Sequence, residues 1–119
     1  MSSKWPRPSN PRRRLTIKRR RLIWSGTARA DLMSQYRYIA ESSSAAADKF
    51  ILDIERKAQS FARLGLTGIA RDHLRPGLRS FSYRQRVFYF VVSDIALRVV
   101  RVIHAHEDTS PEDFTESIA

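Results

Sequence analysis

The sequence predicts an α+β fold in which a first strand leads into an αα-hairpin, and the hairpin packs against a three-stranded antiparallel meander. Three observations support this. Two successive stretches carry apolar residues at three- and four-residue spacing, only a short run of serines separates them, and the second half of the chain then changes to a period of two.

Residues 1–14 hold Pro6, Pro8, Pro11 and five basic residues with almost nothing to bury, the composition of an extended or disordered arm. Residues 16–24 place Ile17, Leu22, Ile23 and Trp24 around four cations, which suits a first strand with a polar start. Ser25 can accept from an amide of a first helical turn, and Ala28, Leu32, Tyr36 and Ile39 then share one face of a helix running to about Glu41. Ser42-Ser43-Ser44 breaks that helix and offers the next cap. Ala47, Phe50, Ile51, Ile54, Ala58, Phe61 and Leu64 form the stripe of a second helix, which Gly65 is placed to end.

From Gly65 to Gly77 the glycines, Pro76 and scattered polar residues predict a loop. Residues 78–83 alternate, Arg84-Gln85 can turn, residues 87–92 run apolar without a break, Ser93-Asp94 can turn again, and residues 96–106 alternate loosely. The run Val87-Phe88-Tyr89-Phe90-Val91-Val92 has no polar face to offer water, so it is expected at the centre of the sheet. Tyr36, Phe50, Phe61, Phe81, Phe88 and Phe90 fall at helix or strand spacing, which assigns them to core packing.

A chain of 119 residues with 42% hydrophobic content supports one modest core, so a single domain over residues 15–108 is expected, flanked by the arm at 1–14 and an acidic tail at 109–119. The absence of cysteine excludes disulfides and thiolate chemistry and fits a reducing cytoplasm. No apolar run reaches the length of a membrane span, and the basic start lacks the apolar core of a signal peptide. A cytoplasmic protein is therefore expected. The net charge of +10 is skewed: nine of the 22 Lys and Arg residues precede Leu22, and all 12 acids follow it. The run Lys18, Arg19, Arg20, Arg21 could neutralise phosphates or dock the acidic C-terminus of its own or another chain.

Four local patterns carry a resemblance. Ser25-Gly26-Thr27-Ala28-Arg29-Ala30-Asp31-Leu32 with Tyr38-Ile39-Ala40 is similar to the S-x-x-A-x-x-D-L and Y-I-A of the ParE branch of the ParE/RelE toxin superfamily. Ala45-Ala46-Ala47 is similar to that family's alanine-rich second-helix entry, Pro76-Gly77-Leu78-Arg79 and Arg86-Val87-Phe88-Tyr89 to its loop-to-strand arginine and Y-centred strand, and Val99-Val100-Arg101-Val102-Ile103-His104 to its last strand. Their joint order resembles the family over residues 23–108. The basic arm lies outside it.

The resemblance implies the toxin of a type II toxin-antitoxin (plasmid stabilisation) system that inhibits DNA gyrase by binding, without an enzyme's chemistry or a cofactor, until a cognate antitoxin wraps it into a hetero-oligomer. The RelE branch implies a ribosome-dependent messenger-RNA endoribonuclease instead, with Arg86, Tyr89 and His104 as its candidate catalytic residues. Lysine is absent after Lys57, a departure from a lysine-using nuclease site. A basic nucleic-acid-binding module working through the arm and Lys18 to Arg21 is the third class. Arg79, Arg84, Arg86 and Arg101 are expected to meet antitoxin carboxylates, because guanidinium forks hold carboxylates in fixed geometry. His104 and His106 share a strand face, but no third ligand stands at a recognisable spacing outside Glu107 and Asp108, so no metal site is assigned.

Overall fold

The computed structural model describes residues 18–114. The arm expected at 1–14, the start of the first strand at 16–17 and the end of the tail at 115–119 lie outside them. The chain runs β1 (Arg21–Trp24), α1 (Gly26–Ala40), α2 (Ser44–Arg63), β2 (Ile69–Ala70), β3 (Arg79–Tyr83), β4 (Arg86–Val92), β5 (Ala96–His104) and a final 3-10 turn (Pro111–Phe114). The α+β class, the hairpin and the meander are as the sequence predicts.

Both helices start where a serine stops competing with the helix and begins to cap it. The Ser25 hydroxyl accepts from the Ala28 amide and the Ser43 hydroxyl from the Ala46 amide, each at 3.0 Å. Gly65, at φ 70°, turns the chain out of α2 as expected. Leu64, expected on the buried stripe, is half-exposed because it is the C-cap residue, one step beyond the last turn that faces the sheet.

The sheet has five strands in the order β1-β5-β4-β3-β2, so β4 is central, as its unbroken apolar run predicts. β1 pairs with β5 in parallel, joining the two ends of the fold, while the other neighbours are antiparallel. β2 is a short strand inside the stretch expected to be loop: Ile69 and Ala70 pair with Ser80 and Arg79. Gly68 makes this close approach possible, since at φ +61° a side chain there would run into the Ser80 carbonyl.

Two cores sit on opposite faces of the sheet. On the helical face, Ala28, Ile54 and Ala62 meet Phe81, Phe88, Phe90, Leu97, Val99 and Val102. Phe81 stacks on Phe61 at 4.1 Å and on Phe88 at 4.6 Å between ring centroids, an arrangement that adds about 0.5–1.5 kcal/mol per pair to the burial itself. On the opposite face Leu78, Tyr89, Val100, Ile103 and Phe114 form a second cluster. Phe114 is fully buried there, so part of the stretch expected as an acidic tail folds back over the sheet.

Candidate functional site

β1 ends at Trp24, opposite Val99, and leaves the remaining length of β5 without a strand neighbour on that side. Side chains of α1 and its cap take over. The Ser25 amide donates to the Val99 carbonyl at 2.9 Å and its hydroxyl to the Val100 carbonyl at 3.1 Å. Four residues apart on α1, Asp31 accepts from the Val102 amide and Gln35 donates to the Val102 carbonyl, both at 2.9 Å. The motif Ser25-x-x-Ala28-x-x-Asp31-Leu32 thus closes a sheet edge that would otherwise invite another chain.

The same Asp31 takes Arg101 in a two-pronged ion pair, with Nε at 2.9 Å and Nη2 at 3.1 Å. This bonding holds the Arg101 guanidinium above its ordinary pKa, and its Nη1 donates to the Asp113 carbonyl at 3.0 Å. Arg101 is therefore engaged inside the fold. Arg79 is also engaged, donating to the Thr67 carbonyl across β2.

Arg84 and Arg86 stand apart from these, at the β3–β4 turn. Arg84 pairs with Asp53 at 2.6 Å, and the Tyr83 hydroxyl donates to the same carboxylate at 2.9 Å. Hydrogen bonding to Tyr83 and the charge of Asp53 raise the Arg84 pKa. Arg86 lies over the Phe50 ring at 4.4 Å and donates to the Gln35 side-chain oxygen at 2.5 Å and the Arg84 carbonyl at 3.1 Å. Burial pushes its pKa down. Among the described residues no carboxylate pairs with it. These two arginines edge a groove of about 670 Å³ between the turn and α2, which Lys49, Leu52 and Arg56 line from the helix side. Lys49 and Arg56 escaped notice in the sequence because cations on a helix usually mark only a solvated face.

The structure brings together two of the three candidate nuclease residues. Arg86 and His104 are cross-strand partners, but Tyr89 points through the sheet into the second core, 7% exposed, with its ring 4.8 Å from that of Phe114. His104 and His106 lie with ring centroids 5.3 Å apart at the end of β5. Among the described residues no group of three or more His, Cys, Asp or Glu could hold a metal.

The cationic run divides by alternation. Lys18 pairs with Asp94 at 2.8 Å and Arg20 donates to the Ser93 carbonyl at 2.6 Å, fastening the chain to the β4–β5 turn, while Arg19 and Arg21 are exposed. The acidic segment is held by other arginines: Arg75 donates to the Phe114 carbonyl beside the Arg101–Asp113 bond.

No described helix is long and apolar enough to cross a membrane. Comparison with curated proteins found no match. A solved structure described as the "Chromosomal ParDE TA system from P. aeruginosa" has the same fold, with a TM-score of 0.62 at 22% identity over 75% of this chain and 99% of that one. The family described as "ParE toxin of type II toxin-antitoxin system, parDE" matches residues 22–109, which run from within β1 past the end of β5. The chain belongs to the ParE toxin family.

Proposed function

We propose that the protein is a growth-inhibiting cytoplasmic toxin that acts by binding DNA gyrase and is neutralised by a cognate antitoxin in a hetero-oligomer. The observation that carries the binding mode is the separation of the polar side chains. A phosphodiester cut needs proton-transferring groups beside the cation that stabilises phosphate charge, and Tyr89 lies on the opposite face of the sheet from Arg86, which leaves His104, the cross-strand partner of Arg86, as the one candidate for proton transfer on that side. Family membership supports the antitoxin. In this proposal residues 15–108 form the toxin body, and of the expected arginine set Arg86, which pairs with no carboxylate among the described residues, is available to antitoxin carboxylates, with Arg84 beside it already paired to Asp53. The arm at 1–14, with the exposed Arg19 and Arg21, is an accessory that touches nucleic acid.

Induced expression in a bacterium, with DNA supercoiling and messenger-RNA integrity followed together, tests the target. Loss of supercoiling with intact messages, relieved by co-expressing the neighbouring gene, is the expected result. Codon-positioned message cleavage with normal supercoiling would move the function to ribosome-dependent ribonuclease.

A further inference from the structure

The groove beside the β3–β4 turn has two properties that packing alone does not account for. The first is its charge. Lys49, Arg56, Arg84 and Arg86 surround a single carboxylate, Asp53, which Arg84 and Tyr83 already occupy. Among the described residues Lys49, Arg56 and Arg86 make no ion pair, and Arg86 is partly withdrawn from water as well. A desolvated, unpaired guanidinium is unfavourable unless an anion arrives to meet it.

The second is backbone strain. The two turn residues, Arg84 and Gln85, sit at φ 50° and 63°, in the left-handed region that two-residue hairpin turns require and that Asn-Gly fills at least cost. The chain keeps two long polar side chains at the groove's rim despite this. Strain of that kind persists where a side chain is wanted for function.

The floor identifies the occupant. Leu52 stands 55% exposed in the groove, next to Phe50. A sugar-phosphate backbone gains nothing by covering Leu52, whereas an apolar side chain gains about 25 cal/mol for each Å² it removes from water. The surface also continues. A second depression shares Leu52 and Arg56 and runs on past one carboxylate, Glu55, to Gln59 and Arg63. Lys49, Leu52, Arg56, Gln59 and Arg63 repeat at helical spacing along one exposed side of α2, a track of about 21 Å at 1.5 Å per residue.

We propose that the antitoxin seats an acidic amphipathic segment along this track, with carboxylates on Lys49, Arg56 and Arg86 and an apolar side chain on Leu52. The assignment rests on the toxin-antitoxin function proposed above. It differs from the expected arginine set in that Arg79 and Arg101 are occupied within the fold, while two helix cations take their place.

The test uses the full-length protein and the purified product of the neighbouring gene, with affinity measured by calorimetry at two salt concentrations. K49E/R56E reverses two exposed cations that make no ion pair among the described residues, so circular dichroism should show an unchanged melting curve. Affinity should fall by about 100-fold or more, and the variant should lose most of the salt dependence. R37E, which reverses an exposed cation on α1, should change affinity by less than about threefold. If wild-type protein does not bind the neighbouring product, the toxin-antitoxin function fails and the seat with it. If wild type binds and K49E/R56E binds within threefold of it, only the seat is overturned. A single-stranded RNA 20-mer that loses affinity on K49E/R56E while the protein partner does not would assign the track to nucleic acid and overturn the seat as well.

Discussion

Asp31 and Arg101, 70 positions apart in sequence, are joined by two parallel hydrogen bonds of 2.9 and 3.1 Å, and the same carboxylate accepts the Val102 amide. The pair is three-quarters or more removed from solvent, with side-chain exposures of 15% and 22%. Removing one partner therefore strands a charge rather than merely deleting a contact. D31A should lower unfolding free energy by about 3 kcal/mol, because it orphans both the Arg101 guanidinium and the Val102 N–H. Urea denaturation of D31A, R101A and the double variant measures the coupling, expected at about 1–3 kcal/mol. If the two single losses simply add, the pair is not the joint that fixes α1 to β5.

The β3–β4 turn offers a change whose two effects have opposite signs. Replacing Arg84-Gln85 by Asn-Gly relieves two left-handed residues, each unfavourable by about 1–2 kcal/mol. The Arg84–Asp53 ion pair is lost, but with Arg84 64% exposed it contributes under about 1 kcal/mol. R84N/Q85G should thus be more stable by about 1 kcal/mol, a rise of roughly 4–8 °C in Tm for a domain of this size. Antitoxin affinity should fall, since one groove cation is gone. Calorimetric melting and titration of the same sample check both; a gain in stability with unchanged affinity would show that the turn is strained for some other reason.

Why some of this was legible in sequence and some was not follows from distance along the chain. The helix starts at Ser25 and Ser43, the stop at Gly65 and the central place of residues 87–92 are set by neighbours within a few positions, and the pattern reveals them. The parallel pairing of Trp24 with Val99, the Ser25, Asp31 and Gln35 bonds to β5, and the occupation of Arg101 join residues about 65 to 75 positions apart. No local period records them. Ile69–Ala70 escaped because two paired residues make no alternation, and Phe114 because a lone aromatic in an acidic stretch has no period at all. At the site, Arg84 and Arg86, which the sequence also offers, edge the groove, whereas Arg79, Arg84 and Arg101 already hold Thr67, Asp53 and Asp31, long-range partners that no local pattern records.

Acid should loosen the attachment of residue 18 to the β4–β5 turn. The Lys18 ammonium, 2.8 Å away, hydrogen bonds to Asp94 and holds its carboxyl below the usual carboxylate value. A depressed folded pKa means that the contribution is present above the unfolded value of about 3.9 and is lost as pH falls through the folded one. Both side chains are mostly exposed, so salt should weaken the contact too. Carboxyl-carbon NMR of Asp94 should give a midpoint below about 3.9 that returns to it in K18A. An unchanged midpoint in K18A would remove Lys18 as the cause.

The acidic segment is predicted to behave as part of the packed body. Phe114 has no exposed surface, its ring lies 4.8 Å from that of Tyr89, and the carbonyls of Asp113 and Phe114 are held by Arg101 and Arg75. Truncating a buried phenylalanine removes its burial and leaves a cavity, together about 3–5 kcal/mol when the surroundings cannot collapse. Here the walls are strands β4 and β5 on one side and a short 3-10 turn on the other, and the turn can shift. The lower end, about 3 kcal/mol, is therefore expected for F114A, with F114L recovering more than half because it refills most of the volume. Hydrogen exchange adds a spatial signature: amides of β4 and β5 facing the second core should exchange faster in F114A, while those of α2 keep their protection apart from the global loss. If F114A melts with wild type and β4–β5 protection is unchanged, the second core is closed by Leu74, Leu78 and the strand residues without the 3-10 turn.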